Sequence, residues 1–92
     1  MVMVRRHVII SGRVQGVWFR GSAQDKAESL GITGWVRNTR DGRVESVFEG
    51  DEASVNEMIS WCHHGPTMAS VTNVEIDEEE YRNEFKSFDI TY

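Results

Sequence analysis

A glycine-containing loop between a predicted strand and a predicted helix carries the residues best suited to chemistry. The loop spans residues 12–21, reads GRVQGVWFRG, and places Arg20 where the helix is expected to begin. Unpaired backbone N–H groups and the helix dipole both favour negative charge at such a position. A guanidinium adds a rigid fork of donors that matches phosphate oxygens. These residues therefore favour a binding site for phosphate or another anion.

This loop does not follow the common nucleotide-binding patterns. It is neither GxGxxG nor the GxxxxGK[ST] sequence of a P-loop, so dinucleotide or triphosphate chemistry is not indicated. As a bare pattern, it is also compatible with a structural connection that carries an exposed arginine. Gly16 fits both interpretations, because a glycine can serve a turn and can also let the backbone approach a phosphate.

Hydrophobic patterns predict five strands and two helices along the chain. The predicted strands cover residues 7–12, 34–39, 43–49 and 69–77, followed by a short final strand within residues 85–92. Ser22 and Asp25 form a capping-box pair that predicts the start of the first helix, which ends at Gly31. The second helix is predicted to begin with Asp51 as its N-cap and to end before Gly65 and Pro66.

The order β-α-β-β-α-β, with the short strand added, predicts an α+β, ferredoxin-like split βαβ fold. In this fold an antiparallel sheet carries both helices on one face. The sequence Arg40-Asp41-Gly42 predicts a tight turn that joins the second and third strands as a hairpin. A helical crossover makes the first and second strands run in the same direction, so both end at the same edge of the sheet. The loop after Gly12 is therefore expected beside Asn38.

Length and composition indicate an ordinary globular protein. Ninety-two residues, with 39% hydrophobic and 27% charged side chains, predict one domain over residues 1–92. Apolar runs such as residues 8–10 are too short for a membrane helix or for a signal-peptide core, so we expect a cytoplasmic protein without a membrane partner. Cys62 is the only cysteine, which excludes an intrachain disulfide, and we expect a buried, inert thiol.

The charge distribution disfavours a nucleic-acid partner. A net charge of −5 is unusual for such binders, which are commonly basic. The chain up to Arg43 nevertheless holds eight Lys or Arg residues against three Asp or Glu residues. A local positive field of this kind attracts small anions, although two oppositely charged solvated faces would give the same count.

Two segments of the sequence resemble the signatures of the acylphosphatase family. GRVQGVWFR at residues 12–20 resembles G-x-V-Q-G-V-x-F-R, and GWVRNTRDGRV at residues 34–44 resembles G-x-V-x-N-x-x-D-G-x-V. Weaker similarity continues through Gly65-Pro66, Ala69 and Val71 to the ending FDITY at residues 88–92. The resemblance thus covers essentially the whole chain.

This resemblance implies metal-independent hydrolysis of an acyl phosphate to a carboxylate and inorganic phosphate. It implies that Arg20 binds the phosphoryl group and that Asn38 orients the attacking water. The implied phosphate cradle consists of backbone N–H groups of Gln15, Gly16, Val17, Trp18, Phe19 and Arg20. The expected partners are the small-molecule substrate and phosphate as product or inhibitor. No cofactor, metal or nucleic acid is expected, and we expect a monomer.

The implied roles are chemically coherent. An acyl phosphate has a good carboxylate leaving group, so positioning and charge stabilisation can suffice without a strong protein base. Asn38 has an acceptor oxygen but no useful pKa, so it can aim a water molecule without deprotonating it. A bound phosphate oxygen could take the proton. Trp18 occupies a variable position of the signature. It is expected to pack against the protein or to be partly exposed, although it could also tune the access of the acyl group. Phe19 is expected in the core.

Two rival readings remain. A module of the same fold could bind without turnover; RNA recognition would need exposed aromatics and a basic face on the central strands. The third strand instead carries Glu45 and Glu49 on one face. The chain could also be an accessory domain of a larger carbamoyl-phosphate-handling protein. Its own start and its final strand favour a standalone enzyme.

Overall fold

A computed structural model describes residues 1–92, and all of its strands belong to one sheet. The elements are β1 (Met3–Arg13), α1 (Phe19–Ser29), β2 (Thr33–Asn38), β3 (Val44–Asp51), α2 (Glu52–Cys62), β4 (Ser70–Glu79) and β5 (Phe88–Ile90). The order across the sheet is β4-β1-β3-β2-β5. The predicted α+β, ferredoxin-like fold is confirmed. Neither helix has the length and hydrophobicity that a transmembrane span requires.

The pairing of the strands brings the ends of β1 and β2 to one edge of the sheet. β3 lies between β1 and β2 and is antiparallel to both. The first two strands therefore run in the same direction, as predicted. β4 adds to β1 antiparallel, whereas β5 adds to β2 parallel. The parallel β2–β5 pair thus departs from the fully antiparallel sheet that the sequence predicts. After β4 the chain passes to the opposite edge of the sheet before β5 begins.

The first strand is longer than its hydrophobic pattern indicates. β1 begins at Met3 rather than at residue 7, and its register pairs Met3 with Asp51 and Arg5 with Glu49. The charged side chains of Arg5 and Arg6 conceal this extension in the sequence. Arg5 is nevertheless buried, because carboxylates from distant parts of the chain surround it.

The predicted start of the first helix is wrong. α1 begins at Phe19 with Trp18 as its N-cap, and no side chain caps it. Trp18 has a left-handed backbone conformation with φ 64° and ψ 29°, which turns the chain into the helix three residues before Ser22. The N–H of Ser22 already donates to the Trp18 carbonyl at 3.1 Å, so Ser22 is inside the first turn. Arg20 therefore belongs to the helix itself.

The other predicted helix ends agree with the structure. Gly31 follows α1 with φ 70°, and the N–H of Ile32 returns to the Ala27 carbonyl at 2.9 Å, as in a Schellman motif. Asp51 is the N-cap of α2, although its side chain makes no capping hydrogen bond. α2 ends at Cys62, before Gly65 and Pro66.

The core lies between the sheet and the two helices. Its central side chains are Val8, Ile10, Val36, Phe48, Ala23, Ala27, Val55 and Met58. Phe19 packs here as predicted, with its ring 5.3 Å from that of Trp61. Cys62 is also buried, and burial raises the pKa of its thiol to about 12. The thiol therefore stays protonated at neutral pH, which agrees with the expected inert cysteine.

Candidate active site

The loop between β1 and α1 presents a row of free backbone donors. None of the N–H groups of residues 15–21 donates a hydrogen bond to a protein acceptor; the first that does belongs to Ser22. Within this stretch Gly16 and Trp18 both have positive φ angles, of 74° and 64°. Alternation of left-handed and other conformations turns successive N–H groups toward one side and forms an anion-binding concavity. The start of α1 adds its positive dipole end.

Arg20 stands beside these donors with its guanidinium uncommitted. The salt bridges in which arginines take part involve Arg5, Arg6, Arg37 and Arg43. Arg20 forms none and donates no side-chain hydrogen bond within the protein. Its guanidinium carbon lies 5.4 Å from the centre of the Tyr92 ring, a cation–π contact that leaves the N–H fork free. An arginine in this state can bind two oxygens of one phosphate.

Asn38 brings an unpaired acceptor to the same place. It shares the helix side of β2 with the buried Val36, because residues two apart in a strand point to the same face. Its Oδ1 is the only buried side-chain nitrogen or oxygen that lacks a hydrogen-bond partner. A buried acceptor left unpaired typically costs about 1–3 kcal/mol. Such a group is therefore an unusual feature for a merely structural residue and invites a donor from a ligand or a water molecule.

A cavity of about 590 Å³ joins these groups. Gly16, Val17, Trp18, Phe19, Arg20 and Asn38 are among the residues that line it, so all the predicted site residues except Gln15 meet at one surface. Arg13 also lines it, and no acidic residue does. The cavity is therefore locally positive in a protein whose net charge is −5, as the basic first half of the chain suggested.

Gln15 has a different position from its neighbours. Its side-chain Nε2 donates to the carbonyls of Thr39 at 2.8 Å and Arg43 at 2.9 Å. These two carbonyls flank the turn that follows Asn38, so Gln15 ties the donor loop to the hairpin. From the sequence, Gln15 was predicted to contribute only its backbone N–H, and its side-chain bonds to the hairpin were not predicted. The one available signal was an amide side chain within the otherwise apolar segment of residues 14–19, which does not specify its partner.

The hairpin end beside Asn38 is itself braced by polar contacts. The N–H of Thr39 donates to the Arg43 carbonyl at 2.9 Å, and the N–H of Arg43 donates to the Thr39 hydroxyl at 3.0 Å. The Arg43 guanidinium and, second, the Thr39 hydroxyl lower the pKa of Asp41 to about 2. Asp41 is therefore ionised at neutral pH and holds the turn closed through both partners.

The outer wall of the cavity was not predicted as part of the site. It includes Met68, Ile90 and Tyr92, which come from the segment before β4 and from the end of the chain. The weak similarity of the ending FDITY assigns no role to Ile90 or Tyr92, and Met68 lies in no matched motif. Elsewhere in the structure, no three or more His, Cys, Asp or Glu side chains come together as metal ligands would.

The sequence of the chain matches one family of known proteins. The family model described as acylphosphatase matches residues 6–90. The chain belongs to the acylphosphatase family. Both the predicted family and the predicted enzyme class, acylphosphatase, are thereby confirmed, whereas the roles given to single residues stay predictions.

Relatives and solved structures of the acylphosphatase family match over nearly full length. An acylphosphatase from Pelotomaculum thermopropionicum is 48% identical over 92 residues, which cover 100% of both chains. One from Syntrophobacter fumaroxidans is 57% identical over 88 residues, 96% of this chain and 91% of the relative. The structure of an acylphosphatase from Coxiella burnetii is similar with a TM-score of 0.92 at 39% identity, covering 97% of this chain and 93% of the other.

Proposed function

We propose that this chain hydrolyses acyl phosphates to a carboxylate and inorganic phosphate, with Arg20 and the loop N–H groups binding the phosphoryl group and Asn38 orienting water. One observation carries the proposal. The free donors of residues 16–21, the uncommitted guanidinium of Arg20 and the unpaired Oδ1 of Asn38 all meet at one cavity that no acidic residue lines. Donors suit the phosphoryl oxygens, and the single acceptor suits a water hydrogen.

The phosphoryl group fits the donor side of the cavity. Its oxygens accept hydrogen bonds from the loop N–H groups and from the fork of Arg20, and the dipole of α1 favours their charge. These groups are fixed by the backbone before substrate binds, so little reorganisation is needed when charge develops during the reaction. In this proposal the protein supplies positive potential without a metal ion.

Asn38 serves the nucleophile. Its Oδ1 accepts one hydrogen of the water and aims the oxygen at phosphorus. The new bond joins water oxygen to phosphorus, the bond between phosphorus and the acyl oxygen breaks, and its electron pair leaves with the carboxylate. The proton that water loses passes to a phosphate oxygen, because no carboxylate or histidine lines the cavity.

The test is turnover of benzoyl phosphate in the presence of EDTA. The wild-type protein is expected to hydrolyse it at an undiminished rate with the chelator. Asn38→Ala is expected to lower kcat by about 100-fold with a small change in KM, because the lost group acts on the nucleophile. Arg20→Ala is expected mainly to weaken phosphate binding. Arg82→Ala and Asn56→Ala are matched controls, since both side chains are exposed and neither lines the cavity.

Each other outcome has a definite meaning. Activity that requires added metal contradicts the mechanism, and a folded, fully active Asn38→Ala contradicts the role of Asn38. Phosphate binding without any turnover supports the rival reading of a non-catalytic binding module. Inorganic phosphate should inhibit competitively and raise the Tm at constant ionic strength, as expected for a ligand of the native state. The monomeric state and the cytoplasmic location stay predictions.

A further inference from the structure

Exposed apolar side chains gather at the mouth of the cavity. Trp18 is 74% exposed, Met68 is 64% exposed and Tyr92 is 96% exposed, and all three line the cavity. The other exposed large apolar side chains are three residues at the start of the chain and Ile76 on β4. An exposed apolar group concentrated around a binding cavity is typical of a ligand contact surface. The phosphate chemistry described above makes no use of it.

Trp18 is held at this position by its backbone and by its neighbour. A tryptophan in a left-handed conformation is strained by roughly 1–2 kcal/mol. Its indole lies against Gly21, where an added Cβ would overlap the indole ring. Gly21 has an ordinary φ, so the space that the indole fills accounts for the absence of a side chain there. The indole is therefore placed on the rim although most of its surface faces solvent.

The apolar rim begins where the phosphate donors end. The Tyr92 ring contacts the Arg20 guanidinium at 5.4 Å, so the group that would bind the phosphoryl oxygens adjoins an aromatic surface. In an acyl phosphate the carbonyl carbon is bonded to the oxygen that leaves phosphorus. A phosphoryl group seated on Arg20 and the loop therefore directs its acyl group out of the cradle and toward the rim.

We propose that Trp18, Met68 and Tyr92 form an acyl subsite that selects substrates with an apolar acyl group, aromatic ones above all, over small or anionic acyl groups. This proposal rests on the proposed function. Aromatic rings and a methionine thioether offer stacking and dispersion contacts to such a group. Arg13 is the one lining cation besides Arg20, and it is the group that an anionic acyl chain would use instead.

The experiment compares kcat/KM for benzoyl, acetyl and succinyl phosphate. The leaving carboxylates of benzoyl and acetyl phosphate have similar basicity, so a difference reports mainly on binding of the acyl group. We expect benzoyl phosphate to exceed acetyl phosphate by at least about tenfold, the scale of one or two methylenes in a hydrophobic pocket. Succinyl phosphate is expected to gain nothing over acetyl phosphate.

Variants of the rim separate this subsite from general effects. Trp18→Asn removes the indole and tolerates the left-handed conformation, and it should lower the benzoyl-to-acetyl ratio by about tenfold. Met68 lies in the exposed segment before β4, outside the β1–α1 loop. Met68→Ser should lower the benzoyl-to-acetyl ratio by about threefold, so this variant tests the subsite without altering the loop. Met3→Ser is the matched control, because Met3 is partly exposed and lies outside the cavity. It should leave the ratio unchanged.

The possible failures are distinguishable. If no acyl phosphate releases phosphate, the proposed function fails. If all three are hydrolysed but the ratio is near one, or stays at its wild-type value in both Trp18→Asn and Met68→Ser, the subsite is refuted while the function stands. A preference for succinyl phosphate that Arg13→Ala removes would assign the rim to anionic acyl groups and also overturn the proposal.

Discussion

Arg5 and Arg20 lie near opposite ends of the first strand. The guanidinium of Arg5 donates hydrogen bonds to protein carboxylates, whereas that of Arg20 donates to no protein atom. Arg5 is only 6% exposed and donates to Glu79 at 2.8 Å, to Glu84 at 2.7 Å and to Glu49 at 3.3 Å. Arg20 is half-buried and donates to no protein atom, with only the Tyr92 ring beside it. The same residue type is thus engaged by three carboxylates at one end and left available at the other.

The Arg5 end is closed around a buried carboxylate. Glu49 is 1% exposed and accepts the backbone N–H groups of Arg82 at 2.8 Å and Glu84 at 2.9 Å in addition to Arg5. Burial by itself raises the pKa of Glu49, but the two N–H groups and then Arg5 outweigh it, so the pKa lies below its ordinary value. The lowered pKa of Glu49 therefore reflects a structural cluster, although perturbed carboxylates often mark active sites.

This contrast teaches how to distinguish structural from functional charge in this fold. Burial and a perturbed pKa select the Arg5 cluster, whereas free donors and one unpaired acceptor select the Arg20 end. Groups whose hydrogen-bonding capacity is unused in the protein are the ones most available to a substrate. The contrast predicts that substitutions at the two ends separate activity from stability.

The largest effect is expected for Arg20→Met. The loss of the guanidinium should lower kcat/KM by about 1,000-fold, mainly through KM, because a charged donor pair to phosphate is lost. The free energy of unfolding should stay within about 0.5 kcal/mol of wild type, since no protein contact depends on the N–H fork. Steady-state kinetics and urea unfolding on the same samples check both parts. An Arg20→Met variant that is fully active, or that loses several kcal/mol of stability, would contradict the claim that Arg20 serves activity rather than stability.

The reverse pattern is expected for Arg5→Met. This change leaves Glu49 buried without its cation, so the free energy of unfolding should fall by about 3 kcal/mol. The kinetic constants of the folded fraction should stay near wild type, because the cluster contributes no group to the cavity. Arg82→Met is the control, since it alters an exposed side chain that forms no ion pair. An inactive but stable Arg5→Met would show that the two ends are coupled.

A smaller effect is expected for Gln15→Met, which tests how the donor loop is aligned with Asn38. The variant loses the bonds to the Thr39 and Arg43 carbonyls, and kcat should fall by about tenfold with a smaller change in phosphate inhibition. Gln24→Met is the matched control for Gln15→Met, because the Gln24 side-chain amide also donates to a backbone carbonyl, that of Phe88 at 2.9 Å. Gln24→Met should lower the free energy of unfolding by a similar amount but should lower kcat less than Gln15→Met does. Equal kcat losses in both variants would assign Gln15 to stability alone.

The smallest effect concerns pH. The pKa of Glu49 is lower in the folded chain than in the unfolded chain, so its contribution to stability is fully present above the unfolded pKa, about 4.3. That contribution is lost as the pH falls through the folded pKa. Urea unfolding between pH 6 and pH 3 should therefore show a shallower acid loss for Glu49→Gln than for wild type. Identical slopes would exclude Glu49 as a contributor.

Much of the fold was predictable because local patterns agree with it. The alternation of apolar and polar residues predicted β2 and β3, and Gly31 predicted the end of α1. The order of the elements predicted that β1 and β2 end at the same edge of the sheet. The start of α1 was missed because Ser22 and Asp25 imitate a cap, while the actual cap is a tryptophan in a conformation that its type disfavours. The first residues of β1 were missed because Arg5 depends on carboxylates 44, 74 and 79 positions away.

The site was predictable only in part for the same reason. Arg20 and Asn38 belong to two local motifs, and the strand directions explain how they meet. The tether of Gln15 and the rim formed by Met68 and Tyr92 depend on contacts between distant segments. No local pattern in the sequence encodes such contacts, so these residues required the structure.

The most direct test of the central claim is a titration of the ¹⁵N-labelled protein with sodium phosphate, followed by NMR with sodium chloride as the ionic-strength control. We predict that the largest amide shifts fall on residues 15–21, together with the Arg20 side-chain N–H, and that Arg5 does not respond. Arg20→Met should weaken the response at these same amides. Shifts spread over the surface, or concentrated around Arg5 and Arg82, would contradict the claim that the free donors of this loop hold the phosphate.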